Sequence, residues 1–193
     1  MSGALRRCPW GDSTPEYQRY HDEEWGRPVV DDRGIYERLV LEGFQSGLSW
    51  LTILRKRDNF RAAFANFEID AVARFGARDV KRLLKDAGIV RHRGKIEAAI
   101  ANAKAAAALD LPLAELVWSH APTGRRRAPR TLAELPALTP ESTALSKELK
   151  RRGFRFVGPT TAYAAMQACG VVNDHLAGCF ARAEVARERR ALS

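Results

Sequence analysis

The sequence predicts an all-α protein. Three observations carry that reading. No stretch alternates apolar and polar residues as a half-buried strand requires, apolar residues recur at helical spacing, and the glycines and prolines cut the 193 residues into helix-length segments. Thr14-Pro15-Glu16 opens one helix, with a hydroxyl cap before a proline at the first helical position. Gly34 to Gly47 gives a second, whose stripe of Ile35, Leu39 and Phe44 lies beside Glu42. That carboxylate reads either as inward-facing or as a solvated helix position. Lys95 to Leu109 is an alanine-rich helix that Pro112 breaks. The stretch Ala121 to Pro129, with two prolines, a glycine and three consecutive arginines, is the expected exposed loop. Thr131-Leu132-Ala133-Glu134 and Thr139-Pro140-Glu141 are further helix starts.

Helical residues 141–152 end at Gly153, and Phe154-Arg155-Phe156-Val157-Gly158-Pro159-Thr160 turns into a second helix, residues 161–169. Gly158 permits a close backbone approach and Pro159 suits the first helical position. The free amides that follow can face a phosphate, with Lys150 and Arg155 adding charge. An ordinary αα-hairpin has the same spacing. Residues 181–193, with Arg182, Arg187, Arg189 and Arg190, read as a disordered basic tail or as one that lies near DNA.

Length and composition bound the function. One domain over 1–193 is expected, with 46% hydrophobic and 28% charged residues, which is ordinary for a globular chain. The net charge of +9 and the pI near 9.9 favour a polyanionic partner. Residues 11–42 hold nine acids against four arginines, whereas 74–104 hold nine basic residues against three acids, and further basic clusters follow at 125–130 and 147–155. The polyanion contact is therefore placed in the second half of the chain. No uncharged apolar run approaches the roughly 18 to 20 residues of a membrane span, and Met1 to Arg7 has no apolar signal core. Three cysteines, Cys8, Cys169 and Cys179, argue against a disulfide framework. A reducing, cytoplasmic location is expected.

Cys8 and His21 near one end, with His175-x3-Cys179 on one helical turn near the other, make a donor set of the kind that suits tetrahedral zinc. Four protein ligands would leave no position for water, so such an ion would be structural. On spacing alone a free Cys8 thiol and a core His175 stay open. Cys169, His92 and His120 are weaker candidates, and Trp25 and Trp118 read as core.

Taken together, Cys8-Pro9-Trp10, Tyr17-x-x-Tyr20-His21-Asp22-x-Glu24-Trp25-Gly26, Leu41-Glu42-Gly43-x-Gln45-x-Gly47-Leu48-Ser49-Trp50, Gly88-Ile89-x-Arg91-His92-Arg93-x-Lys95-Ile96 and Arg152-Gly153-Phe154-x-Phe156-Val157-Gly158, through to Asn173-Asp174-His175, resemble the bacterial DNA-3-methyladenine glycosylase I family over about residues 8–180. The resemblance implies a helix-hairpin-helix DNA glycosylase fold whose termini are joined by a structural Zn2+ on Cys8, His21, His175 and Cys179. It implies base-excision repair: flipping of 3-methyladenine out of alkylated double-stranded DNA and hydrolysis of its N-glycosidic bond, by a monomer with no membrane partner. Glu42 and Tyr20 would be the catalytic pair in the base pocket, Trp10 and Trp50 its stacking walls, and Gly47-Leu48 a wedge into the gap left by the base. Lys150, Arg155, Gly158 and Thr160 of the hairpin would hold DNA.

The hairpin segment has Arg155 in its turn and no evident lysine nucleophile, so strand cleavage is not expected. In the wider superfamily a catalytic aspartate follows the hairpin. Asp174 stands in that neighbourhood, either for the sugar or for the metal ligands. The readings weighed against an enzyme of this family are a zinc-stapled DNA-binding protein and a hydrolase with a catalytic zinc.

Overall fold

The computed structural model describes residues 5–124 and 126–192. Met1 to Ala4, Arg125 and Ser193 lie outside the described residues, and with them the start of the N-terminal segment expected to lack a signal core, one arginine of the loop cluster and the end of the expected tail. Among the described residues there is no strand. The helices are α1 (Pro15–Glu23), α2 (Asp32–Gln45), α3 (Trp50–Ala63), α4 (Ile69–Ala73), α5 (Ala77–Lys85), α6 (Arg93–Ala107), α7 (Leu113–Trp118), α8 (Pro140–Arg151), α9 (Pro159–Ala168) and α10 (Ala181–Arg190).

Local chemistry starts these helices where the sequence places its caps. Thr14 Oγ1 accepts from the Tyr17 amide at 3.2 Å, Ser49 Oγ from Thr52 at 3.2 Å, and Thr139 and Ser142 cap each other reciprocally at 3.2 and 2.9 Å. Asp31 caps α2 at 2.8 Å, and the next residue, Asp32, accepts from the Ala114 amide at 2.8 Å, so α2 also starts α7.

α2 is the axis of the molecule. It packs on α3, α6, α7 and α9, and nearly every residue from Ile35 to Phe44 is buried, including Glu37 and Glu42. A helix apolar on one face only could not be enclosed this way. Around it Phe44, Phe60, Phe64 and Phe67 pack ring on ring, with 4.7 Å between the centroids of Phe44 and Phe60. A second, smaller core joins the two ends of the chain through Cys8, Leu176, Cys179 and Ala181.

The structure departs from sequence expectation in three places. Residues 181–190 form α10 rather than a disordered tail. Val185 is fully buried, Arg27 pairs with both Glu184 (3.0 Å) and Glu188, and Arg189 donates to Val171 O at 2.8 Å. These are tertiary contacts that composition does not reveal. His175 and Cys179 sit in a turn-rich loop, not on a helix, although the Cys179 amide still reaches Leu176 O at 2.9 Å. Thr131 starts only the single 3-10 turn Leu132–Glu134, because Pro136 follows too closely.

The acidic segment is not a bare anionic face. Arginines of α3 pair with it: Arg55 with Glu16 at 2.9 Å, Arg57 with Glu24 at 2.7 Å and Arg61 with Glu37 at 2.8 Å. No described helix is long and apolar enough to cross a membrane.

Candidate functional site

α1, the C-terminal half of α2, the start of α3 and the middle of α9 enclose a cavity of about 330 Å³. Its aromatic walls are Trp10, Tyr17, Tyr20, Trp25 and Trp50. Trp10 meets Trp25 edge-on at 5.1 Å and Tyr17 at 5.7 Å, and Tyr20 lies 5.5 Å from Trp50. The Trp50 indole N–H is buried with no acceptor among the described residues.

Glu42 projects into this cavity from the last turns of α2 and is 8% exposed. Burial pushes its carboxyl up to about 8, against the attraction of Arg38 one turn earlier on the helix. The inward reading of Glu42 is the observed one. Burial also drives the Tyr20 hydroxyl well above its ordinary range, and the nearby Glu42 adds to the effect. A cavity with π faces and a carboxyl that ionises only at some cost suits a flat, cationic guest. Both features favour positive charge and neither is satisfied without it.

Behind the aromatic wall, Cys8, His21, His175 and Cys179 are all buried, and their ligand atoms lie within 4.8 Å of one another. Cys179 Sγ stands 3.4 Å from His21 Nε2 and 3.5 Å from His175 Nδ1, with Cys8 Sγ 3.8 Å from His175 Nδ1. A tetrahedron with zinc-like bond lengths has S···N edges of about 3.6 Å. The outer nitrogens settle the ring orientations. His21 Nδ1 donates to Asp22 at 2.8 Å and His175 Nε2 to Trp25 O at 3.0 Å, leaving Nε2 of the first and Nδ1 of the second to face the thiols as lone pairs. The Leu176 amide points at Cys8 Sγ at 3.4 Å. Gly26 makes room for this packing, because its φ is +79° and a Cβ there would stand 2.9 Å from His175 Nε2. The donor set therefore fits a closed, four-coordinate metal, an arrangement that favours a structural ion over a catalytic one with one of the four ligands missing.

The hairpin between α8 and α9 is held from both sides. Asn102 on α6 takes the Arg155 amide on Oδ1 at 2.7 Å and gives Nδ2 to Arg155 O at 3.0 Å, while Ser146 Oγ donates to Val157 O at 2.6 Å. These bonds keep Phe156 at φ +55°, beside Gly43 on α2. Gly158 caps α9, and Lys150, Arg155 and Thr160 are exposed. Gly47 and Leu48 lie in the exposed turn joining α2 to α3, outside the cavity lining. Lys95 Nζ binds Phe44 O at 2.9 Å and Ser46 O at 2.5 Å, tying that turn to α6.

Sequence reasoning missed part of the lining. Tyr17, one turn before Tyr20 on α1, shares its face, a spacing that could have found it. Trp25 lines the cavity rather than the core, and its edge meets His175 at 4.7 Å. Gln45, Leu132, Leu135, Ala164 and Gln167 come from segments with no shared signal. Trp118, expected in the core, is partly buried against it, with its N–H on Val29 O at 2.7 Å. Asp174 is 4% exposed and accepts from Tyr163 and from Gln167 Nε2 at 2.9 Å. It stands behind Gln167, outside the cavity lining.

Comparison with known proteins shows what the chain is similar to. The methyladenine glycosylase family pattern matches residues 10–182. DNA-3-methyladenine glycosylase 1 of Escherichia coli K12 is 49% identical over 181 residues, 91% of this chain and 96% of that protein. A crystal structure of 3-methyladenine DNA glycosylase I superposes with a TM-score of 0.87 at 48% identity, covering 91% of this chain and 98% of the other. The Staphylococcus aureus enzyme, solved to show the structural basis of 3-methyladenine recognition, superposes with a TM-score of 0.86 at 34% identity over 93% and 98% of the two chains. With its pattern matched over most of its length, the chain belongs to the methyladenine glycosylase family.

Proposed function

We propose that this protein is a DNA-3-methyladenine glycosylase that flips the alkylated nucleotide out of double-stranded DNA and hydrolyses its N-glycosidic bond without cutting the strand. The observation that carries the reading is a buried, uncompensated Glu42 inside an aromatic cavity. A 3-methyladenine nucleotide carries a positive charge on the base, and an unmodified adenine does not. Entry of that cation favours the ionised form of Glu42, whose burial strengthens the Coulomb attraction. Indole faces at Trp10 and Trp50 add roughly 0.5–2 kcal/mol for a desolvated cation. Neutral adenine gains neither, so the pocket selects by charge as well as by shape.

The chemistry is then undemanding. The electron pair of the C1′–N9 bond leaves with the base, which departs neutral, while water adds to C1′ and releases a proton. Little general acid is needed. Glu42 holds the base edge as an acceptor, Tyr20 packs beside it, and the pair stabilises the separating charges. Extracting the base costs a few kcal/mol, less at a damaged position. Leu48, on the turn fixed by Lys95, enters the vacated gap, and the hairpin amides at Gly158 and Thr160 hold a backbone phosphate with Lys150 and Arg155 alongside.

The metal we assign to the four-donor cluster is zinc, bound by Cys8, His21, His175 and Cys179 in a structural role. Held by these residues, which link the chain ends and pack against Trp10 and Trp25, the ion would brace the aromatic wall. The protein acts as a soluble monomer in the cytoplasm. The test is to incubate it with methylated duplex DNA and identify every released base by chromatography, with Glu42→Gln in parallel. Release of 3-methyladenine that fails in the variant supports both reaction and pocket. Binding of DNA without release of any base rejects the enzyme in favour of a DNA-binding protein.

A further inference from the structure

We propose that the groove between α10 and the loop residues Pro122, Gly124 and Arg126 is a binding site for a phosphate group. Arg126, Arg182 and Arg189 converge with Asn173 on a cavity of about 110 Å³. The cavity continues into a wider groove, where Arg190 joins Arg182 and Arg189.

The charges are segregated. Glu184 and Glu188 of α10 turn away to Arg27, while Arg182 and Arg189, seven residues apart on one face of the helix, turn inward. Among the described residues, neither inward arginine has a carboxylate partner. Arg126 has only Asp174 at 3.8 Å, an acid already engaged by Tyr163 and Gln167.

The guanidinium forks are held in place but not used up. Arg182 Nη1 donates to Asn173 O at 3.0 Å and to His175 O, and Arg189 Nη2 donates to Val171 O at 2.8 Å. Their remaining N–H groups have no protein acceptor among the described residues. Burial lowers the Arg189 guanidinium from its ordinary range, which is the cost of holding a cation here without an anion. Several preset arginine forks around a small cleft match the tetrahedral, multiply accepting oxygens of phosphate. The family pattern matches residues 10–182, so Arg189 and Arg190 of α10 lie outside the matched residues.

The phosphate can come from free inorganic phosphate or from the DNA backbone, and one set of variants separates the two sources. The full chain, Arg126→Gln, Arg189→Gln and Arg189→Lys are titrated with inorganic phosphate at constant ionic strength by calorimetry. Their affinity for an undamaged duplex is measured in parallel as a function of sodium chloride. A free-phosphate site predicts about a tenfold loss of phosphate affinity in each Gln variant, with Lys retaining part of it. A backbone site predicts a log–log salt dependence shallower by about one in each Gln variant. Unchanged phosphate affinity and unchanged salt slope in both Gln variants overturn the proposal. Arg126 is exposed and bonds to no core backbone group, so its variant decides the matter if Arg189→Gln unfolds. Neither readout involves base release, so failure here leaves the glycosylase reading untouched.

Discussion

The base cavity and the Cys/His cluster share the same aromatic wall, yet they treat buried polarity in opposite ways. In the cluster every donor is oriented. Each imidazole gives one nitrogen to an acceptor, Asp22 or Trp25 O, and turns the other inward. In the cavity the Trp50 N–H is buried with no acceptor among the described residues, and burial pushes the Glu42 carboxyl to about 8. A satisfied polar cluster adds stability and fixes geometry, whereas an unsatisfied one stores a demand that only a ligand meets. The contrast predicts that mutations in the first cost folding and mutations in the second cost activity.

The largest effect should follow loss of the cluster. Cys179→Ser is expected to lower the melting temperature by roughly 10 °C or more, and a strong chelator should do the same to the parent but add little to the variant. Equal melting of parent and variant, with and without chelator, would break the comparison at its first half. Next in size, Glu42→Gln should reduce 3-methyladenine release by about 10²–10³-fold with folding intact. A variant that unfolds, or one that keeps full activity, contradicts the second half.

The sign of the Glu42 contribution sharpens the point. Its folded value, about 8, lies above the unfolded value of 4.5, so the folded state binds the extra proton between those limits. Stability from this group is therefore fully present below about pH 4.5 and is lost as pH rises through about 8. Relative to Glu42→Gln, the parent should lose stability progressively over that window, by a few kcal/mol at most, and no further at higher pH. Thermal melts of both proteins from pH 5 to 9 check this, and parallel curves would refute it. A smaller effect is expected at the hairpin. Asn102→Ala removes two bonds to Arg155 and should weaken duplex affinity several-fold, for a loss of about 1–2 kcal/mol, while free-base binding in the cavity stays unchanged. Equal losses in both assays would show that the hairpin and the cavity are not separable.

Much of this was legible in the residues. Thr14, Thr139 and Pro159 announce helix starts because capping is local, and the structure uses each of them. Glu42 beside an apolar stripe allowed the inward orientation without requiring it. The four metal donors were recoverable from residue type, although their helical placement was not, since His175 and Cys179 occupy a loop. An arginine-rich tail reads as solvated from composition, whereas its anchors are its own buried Val185 and the distant Arg27. Trp25 was assigned to the core because a tryptophan's chemistry is the same in a core and in a cavity wall.

What the sequence determined by itself was the helical class, the capped element starts, the excess of positive charge in the second half and the residue types able to ligate a metal. All of these depend on interactions within a few residues or on summed composition. Only the tertiary structure decided that Tyr17, Trp25 and Gln167 meet Glu42 in one cavity, that the cluster's second nitrogens are satisfied, and that α10 closes over the arginine groove. Desolvation, orientation and charge segregation are properties of what surrounds a side chain. Those surroundings are assembled from segments as distant as α1 and α9, with no local signal to record their meeting.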